Sequence, residues 1–446
     1  MKIFFVSLGC DKNLVDSEVM IALLSEAGYE LTDEETEADI AVVNTCCFIN
    51  DAKEESINTL LEMADLKQNG KCRLLIAAGC LAQRYKDEIL TEIPEVDAIV
   101  GTASAERLPQ VIEQALGGKK QAAFDELDRP VSGKKPRMLT TGGHYAYLKI
   151  AEGCSKHCTY CVIPGVRGPY RSVPMEDLIS EAAALVEGGA RELILVAQET
   201  TLYGTDLYKK KCLPQLLRAL VRIPELSWIR ILYCYPEEIT DELIQTIRSE
   251  EKIVHYLDIP IQHASDRILK RMGRRTDRAE ITERIARLRE QIPDIALRTT
   301  FITGFPGETP EDVDELLDFT DEIGFERLGV FTYSMEEGTP AALMPDQIPE
   351  QEKQDRRAAV MELQQQISYE HGQSMIGKVL DVFVEGWLPD EGVYVGRTYM
   401  DAPGVDGYIF FDSYRDLESG MFVKVKVTGA SEYDLTGVII YEDESS

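Results

Sequence analysis

From residue 3 to residue 332 the chain repeats one step: a short apolar run, then a longer stretch with apolar residues at helical spacing. Strands separated by helices pair in parallel, and a parallel sheet needs helices over both faces. That one feature excludes an all-helical or all-β fold for most of the molecule. The steps fall into two series. The first has strand-like runs at residues 3–8, 40–43, 74–78 and 98–100, with helical stretches at 16–27, 52–66 and 82–93. The second has runs at 146–151, 193–197, 228–233, 256–259, 296–302 and 328–332, separated by stretches that include 175–187, 241–248, 278–292 and 311–323. Six steps are too few for the eight of a closed (βα) barrel. The second series therefore predicts an incomplete, open-sided barrel with its chemistry at the carboxyl ends of the strands.

Residues 119–143 are rich in Gly, Lys and Pro, lack a sustained period, and read as a solvated connector. A polar helix at about 349–371 closes the second series. After Met375, short runs at 379–386, 392–397, 407–411 and 422–427 alternate with Gly, Pro and Asp, the pattern of a small all-β barrel of the oligonucleotide-binding general type. The expected units are thus an open parallel α/β unit at 1–118, a linker at 119–143, the incomplete (βα)6 barrel at 144–374 and the β-barrel at 375–446.

Charge narrows the partners. The chain has 78 Asp and Glu against 47 Lys and Arg, a formal charge of −31. Residues 375–446 hold five basic and fourteen acidic side chains, a net charge of −9. A module built to grip RNA phosphates is basic, so this one disfavours free nucleic acid and accommodates a basic protein instead. No stretch approaches the ~20 apolar residues that span a bilayer. The run at 3–8, just before Gly9-Cys10, is shorter than the ~7–15 residues of a signal sequence core. A cytoplasmic protein is expected, and its ten cysteines then favour metal ligation or catalysis over disulfides.

Three of those cysteines, Cys10, Cys46 and Cys80, each follow a strand of the first series, at separations of 36 and 34 residues. The carboxyl ends of parallel strands share one edge, so three thiols placed this way converge on a metal site. The competing reading is three small buried residues, each ending a strand. Three more, Cys154, Cys158 and Cys161, form a C-x3-C-x2-C triplet (GCSKHCTYC) just after the first strand of the second series. Common structural zinc sites take four ligands from two C-x2-C pairs, and no second pair is present here. Three thiolates leave one corner of a four-iron cluster open to a chelating small molecule. On the residues alone, zinc and simple redox sites stay open.

The triplet's spacing resembles the signature of radical S-adenosylmethionine (SAM) enzymes. With the three upstream cysteines, the small terminal barrel, and the segments Asn44-Thr45-Cys46, PIQH at 260–263 and RTTFITGFPGE at 298–308, the chain resembles the methylthiotransferases over nearly its whole length. That resemblance implies two 4Fe-4S clusters. One is held by Cys154, Cys158 and Cys161 with SAM on its open iron, the other by Cys10, Cys46 and Cys80 with a sulfur on its open iron. It also makes the terminal barrel a TRAM domain. Residues 7–18 (SLGCDKNLVDSE) and 196–204 (VAQETTLYG) look like the branch that modifies the β-carbon of an aspartate in small-subunit ribosomal protein S-twelve. The chain departs from the branch pattern at Asp11, where Pro is expected, and at Cys47, where Gly is; Cys46 keeps the register. The implied chemistry is hydrogen abstraction by a 5′-deoxyadenosyl radical, followed by capture of the methylated sulfur, with an electron donor and a sulfur donor as unidentified partners. Tyr160, between the last two cysteines, is a candidate to pack against the adenine of SAM, with plain packing as its alternative; Gln198, Arg298 and Glu308 lie at or near strand ends as candidate contacts to SAM's polar groups, with ordinary barrel-mouth hydrogen bonds as theirs. His263 reads as structural, and Cys72, Cys212 and Cys234 as buried small residues. The competing functions are a transfer-RNA adenosine methylthiotransferase, a non-catalytic iron–sulfur factor of the ribosome, and a radical enzyme with a single cluster.

Overall fold

The computed structural model describes residues 1–132 and 135–441. Its first sheet has six parallel strands in the order Glu30–Leu31, Lys2–Ser7, Ile40–Thr45, Leu74–Ala78, Ala98–Val100 and Gln121–Ala123. Every residue of Ile40–Thr45 and Leu74–Ala78 is buried, as the centre of a sheet covered on both faces requires. Two edge strands were absent from the sequence reading, because two or three residues are too few to carry a period. One of them, Gln121–Ala123, lies in the stretch read as connector, so the first sheet reaches past residue 118. The helix expected at 82–93 is two helices, Gly79–Tyr85 and Asp87–Glu92. Lys86 between them has φ of +41°, which a right-handed helix cannot pass through.

The second sheet is also all parallel, in the order Arg327–Thr332, Ala296–Thr303, Ile253–Asp258, Trp228–Ile231, Glu192–Val196 and Tyr145–Lys149. Among the described residues the two outer strands do not pair, so the barrel is open-sided as expected. The third unit is a closed barrel, Val379–Leu388, Val393–Arg397, Ile409–Asp412, Leu435–Ile439 and Phe422–Ala430, the last pairing back to the first. Its strand Leu435–Ile439 was missed: its alternation is short and breaks at Gly437. Among the described residues no helix is long and apolar enough to cross a membrane.

The terminal barrel does not hang free. Along Glu192–Val196, Leu193 and Leu195 pack with the helix residues Leu178 and Leu185, whereas Ile194 and Val196 belong to one apolar cluster with Val382, Val384, Phe411 and Val425 of the terminal barrel. The terminal barrel therefore covers the face of the second sheet that the helices leave open. A fully buried charge network sits in this seam. Glu192 accepts from Arg230 Nε at 2.8 Å and from Arg397 Nη2 at 2.7 Å, and Arg230 Nη1 donates to the Tyr399 carbonyl at 2.7 Å. Glu192→Ala leaves two buried guanidiniums without their shared counter-charge. It is expected to destabilise the fold by about 3–5 kcal/mol, read as an earlier denaturant midpoint; an unchanged midpoint refutes the role.

Candidate functional site

The strands preceding Cys10, Cys46 and Cys80 are neighbours in the first sheet, and all three cysteines leave the same carboxyl edge. Cys10 precedes helix Asp11–Glu26, Cys46 directly follows its strand, and Cys80 lies in helix Gly79–Tyr85. Gly9 has φ of +89°, and a Cβ there would stand 2.7 Å from Cys46 Cβ and 2.9 Å from its Sγ. Only glycine lets the Cys10 loop close on Cys46 this tightly. Ser56 clips the Cys46 loop: its hydroxyl is 2.9 Å from both the Cys46 amide and carbonyl. Burial pushes the Cys46 thiol up to about 12, and the nearby Cys80 and Cys10 add to that shift. The neighbouring Cys47 is fully buried, in the apolar cluster of Leu60, Met63 and Leu75.

Cys154, Cys158 and Cys161 form a loop after strand Tyr145–Lys149. Gly153, at φ +76°, lets the loop enter under residues 168 and 169: a Cβ there would meet the Pro169 carbonyl oxygen at 2.2 Å. The Cys154 amide donates to the Gly168 carbonyl at 3.1 Å, and the Cys161 amide to the Cys158 carbonyl at 3.0 Å. Burial pushes Cys154 up to about 11, with Cys158 close enough to raise it further; Cys161 is raised by burial, then by Cys158 and Cys154. Among the described residues no three His, Cys, Asp or Glu side chains converge tightly enough to hold a single metal ion. A four-iron cube binds each thiolate to a different iron, so its ligands stand farther apart than those of one ion. Two sets of three thiols, with positive or polar groups beside them, suit that donor chemistry.

The two sets are neighbours. Arg167 ends the short helix Ile163–Arg167, which begins two residues beyond Cys161. Its Nη2 donates to Cys80 Sγ at 3.4 Å and to Asn13 Oδ1 at 3.0 Å, and its Nη1 to Asp16 Oδ2 at 2.6 Å and Glu152 Oε2 at 3.2 Å. A second link follows strand Trp228–Ile231. The Tyr233 hydroxyl donates to Asp11 Oδ1 at 3.2 Å, and Lys12 Nζ lies 3.2 Å above the Tyr233 ring, both beside Cys10. Two residues on, the Tyr235 hydroxyl is 3.7 Å from Cys158 Sγ. Tyr233 adopts φ of +61°, a conformation uncommon for a bulky residue and found where a site demands it. A cavity of about 700 Å3 is lined by Cys158 and Cys161 and by Gln83 and Arg84 of the helix that carries Cys80. That space reaches from the triplet loop to the helix that carries Cys80.

Comparison with known proteins bears on what such a pair of loops is for. A family model described as an uncharacterized protein family, UPF0004, matches residues 2–101; the radical SAM superfamily model matches 148–320 and the TRAM domain model 376–440. A protein of Lachnoclostridium phytofermentans named "Ribosomal protein uS12 methylthiotransferase RimO" is 62% identical over 437 residues, which are 98% of this chain and 99% of that one. The chain belongs to the RimO methylthiotransferase family. Its namesake in Pelotomaculum thermopropionicum is 52% identical, over 98% of this chain and 99% of that one. Among solved structures, the radical SAM methyltransferase TsrM of Kitasatospora setae aligns with a TM-score of 0.53 at 15% identity, covering 85% of this chain and 78% of that one. The cobalamin-dependent radical SAM enzyme OxsB aligns at 0.52 and 13%, covering 82% and 56%. Those two show the fold alone. As a RimO-type methylthiotransferase the chain is a radical SAM enzyme with iron–sulfur chemistry.

Within this RimO-family fold the four candidate SAM contacts have different surroundings. Gln198 is the most available: its Nε2 donates to Glu152 Oε1 at 3.2 Å, while its buried Oε1 has no partner. Arg298 is tied on both sides, Nη1 to Asp258 Oδ1 at 3.0 Å and Nε to Asp406 Oδ1 of the terminal barrel at 3.3 Å. Asp258 Oδ2 in turn accepts from the Tyr233 amide at 3.1 Å, so the terminal barrel is connected to the tyrosine beside Cys10. The Tyr160 ring packs in an apolar group with Ile268, Met272, Phe305 and Tyr333. Glu308 is buried with its carboxylate engaged by the Gly304 amide at 2.9 and 3.0 Å, Arg356 Nη1 at 2.8 Å and His263 Nε2 at 3.3 Å. It shapes the Gly304–Phe305 turn. His263 is fully buried and its Nδ1 accepts from the Ser265 amide at 2.9 Å, and Cys72, Cys212 and Cys234 are buried.

Sequence reasoning missed Arg167, Tyr233, Tyr235 and Glu199. The two tyrosines follow a strand's carboxyl end, a signal that was there to use. Glu199 accepts from the Thr201 amide at 3.0 Å and keeps its Oε2 buried without a partner. Burial pushes its carboxyl up to about 7, against the pull of Thr201 and Lys156. An unfolded chain releases this proton near pH ~4.3. Between those values the folded state holds more protons than the unfolded one, so this residue's contribution to stability falls as pH rises through that window. Glu199→Gln is expected to flatten that part of a plot of denaturation midpoint against pH; an unchanged slope counts against the shift.

Proposed function

We propose that this chain transfers a methylthio group to the β-carbon of an aspartate in small-subunit ribosomal protein uS12, using two 4Fe-4S clusters and SAM. The observation that carries this reading is the Tyr233–Tyr235 segment, one end beside Cys10 and the other beside Cys158, in a chain whose full-length relatives bear the uS12 methylthiotransferase name. Cys154, Cys158 and Cys161 would hold the cluster that reduces SAM by one electron, and Cys10, Cys46 and Cys80 the cluster that carries the sulfur to be methylated. The β-carbon of aspartate is an unactivated methylene that no side-chain base readily deprotonates, which is why radical chemistry suits it.

This chain's own residues then bind, orient and exclude water. Gln198 Oε1 is a free acceptor for a donor group of SAM, and Arg298 holds the Asp258–Tyr233 wall in place. Tyr160 and Glu308 act behind that wall, by packing and by fixing the Gly304 turn. The net charge of −31 and the acidic terminal barrel favour a basic ribosomal protein over free nucleic acid. An electron donor and a sulfur donor are further partners, and the cytoplasm is the proposed location.

The test compares cells with and without this gene. The thiomethyl mass is expected to vanish from the uS12 peptide while bulk transfer RNA keeps its modifications. Loss from transfer RNA with uS12 unaffected replaces this reading with the adenosine one.

A further inference from the structure

Arg274 is a buried cation held in no salt bridge among the described residues, although the Glu237 carboxylate is near enough to favour its charge. It is 7% exposed, its Nη2 donates to the Pro260 carbonyl at 3.0 Å, and its Nε and Nη1 have no acceptor. Among the described residues it makes no ion pair. Guanidinium N–H groups left buried and unmatched cost more than neutral ones, so such a group is kept where an anion arrives to meet it.

Its position says which anion. Residues 272–274 follow helix Asp266–Arg271, and the Met272 carbonyl accepts from the Thr159 amide at 2.9 Å, inside the C-x3-C-x2-C loop. The guanidinium carbon lies 4.0 Å from the centre of the Tyr235 ring, whose hydroxyl is 3.7 Å from Cys158 Sγ. That cation–π contact holds the guanidinium at the edge of the loop. The other cation over this ring, Lys156 at 4.9 Å, is already neutralised by Glu237 and Glu238. Arg274 is thus an unpaired guanidinium beside the second cysteine set, and, unlike Arg271, it stacks on the ring that meets Cys158. A small molecule that chelates the open iron of a cluster on that set brings one carboxylate with it, that of the methionine portion of SAM.

We propose that Arg274 binds the carboxylate of SAM; this rests on the radical SAM reading of Cys154, Cys158 and Cys161. Arginine presents five N–H donors and Arg274 has spent one, so a carboxylate can take two of the rest.

The experiment uses the full chain, anaerobically reconstituted, as wild type, Arg274→Gln and Arg274→Lys. Iron and sulfide are counted, and equilibrium affinity is measured for SAM and for decarboxylated SAM. Arg274→Gln is expected to keep its iron and to lose at least about 30-fold in SAM affinity, while decarboxylated SAM binds it and the wild type within about twofold. Arg274→Lys, which keeps the charge without the planar fork, is expected to show an intermediate preference for SAM over the decarboxylated compound. Equal weakening of both compounds, or of neither, overturns the assignment and leaves Arg274 serving the cluster or the fold. If Arg274→Gln loses its iron, the lysine variant decides: a preference equal to wild type overturns the proposal. A wild type that binds iron but no SAM overturns the radical SAM reading itself.

Discussion

Replacing Cys154, Cys158 and Cys161 together by alanine abolishes reductive cleavage of SAM and lowers iron from about eight to about four per chain. The expectation rests on the independence of the two cysteine sets. Cys10, Cys46 and Cys80 leave neighbouring strands of the first sheet, clipped by Ser56 and closed by Gly9, and none of those supports comes from the triplet loop. The converse replacement of Cys10, Cys46 and Cys80 removes the same share of iron, leaves SAM cleavage to deoxyadenosine and methionine intact, and yields no methylthiolated product. Iron and sulfide counts with product chromatography read both variants. About four irons in the wild type removes the sulfur-carrying cluster from the scheme. Complete loss of iron in either variant means the two sites do not assemble separately.

Arg167→Met is expected to cost about 3–5 kcal/mol of stability, because it strips a buried guanidinium from Asp16 and Glu152 and leaves Lys149 as their remaining salt-bridge partner. Burial opposes the charge on Arg167, yet Cys80, Glu152 and Asp16 together raise its pKa well above the ordinary value. The residue also donates a hydrogen bond from the second unit to Cys80 Sγ, so iron at the first cysteine set is expected to fall with it. Arg167→Lys keeps a charge but cannot reach all four partners, and falls between the two. The denaturant midpoint and the iron count are the readouts; if neither moves in Arg167→Met, Arg167 supports neither the fold nor the first cysteine set.

Much of this was legible in the residues. Both parallel sheets were, because burial on two faces gives strands such as residues 74–78 an unbroken apolar run, and helices such as Met175–Glu187 a 3.6-residue period. The short strands Glu30–Leu31, Gln121–Ala123 and Leu435–Ile439 were not, since their place comes from pairing with a neighbour already in position. At the site, the six cysteines stood out by strand context and spacing. Orientation at strand ends did not: Glu308 is where its motif suggested, but its oxygens are occupied by Gly304, Arg356 and His263. Arg274 is one arginine among many until its missing partners are seen.

By itself the sequence determined two parallel sheets, each with three thiols on its carboxyl edge, because periodicity and strand-end spacing act over a few tens of residues. Only the tertiary structure decided that the two edges meet. That meeting depends on contacts between residues far apart in the chain, such as Arg167 with Asp16, 151 positions away, and Tyr233 with Asp11, 222 positions away. It likewise decided that the terminal barrel reaches the site through Asp406 and Arg298, since a buried pair forms only where two folded surfaces exclude water from both partners at once.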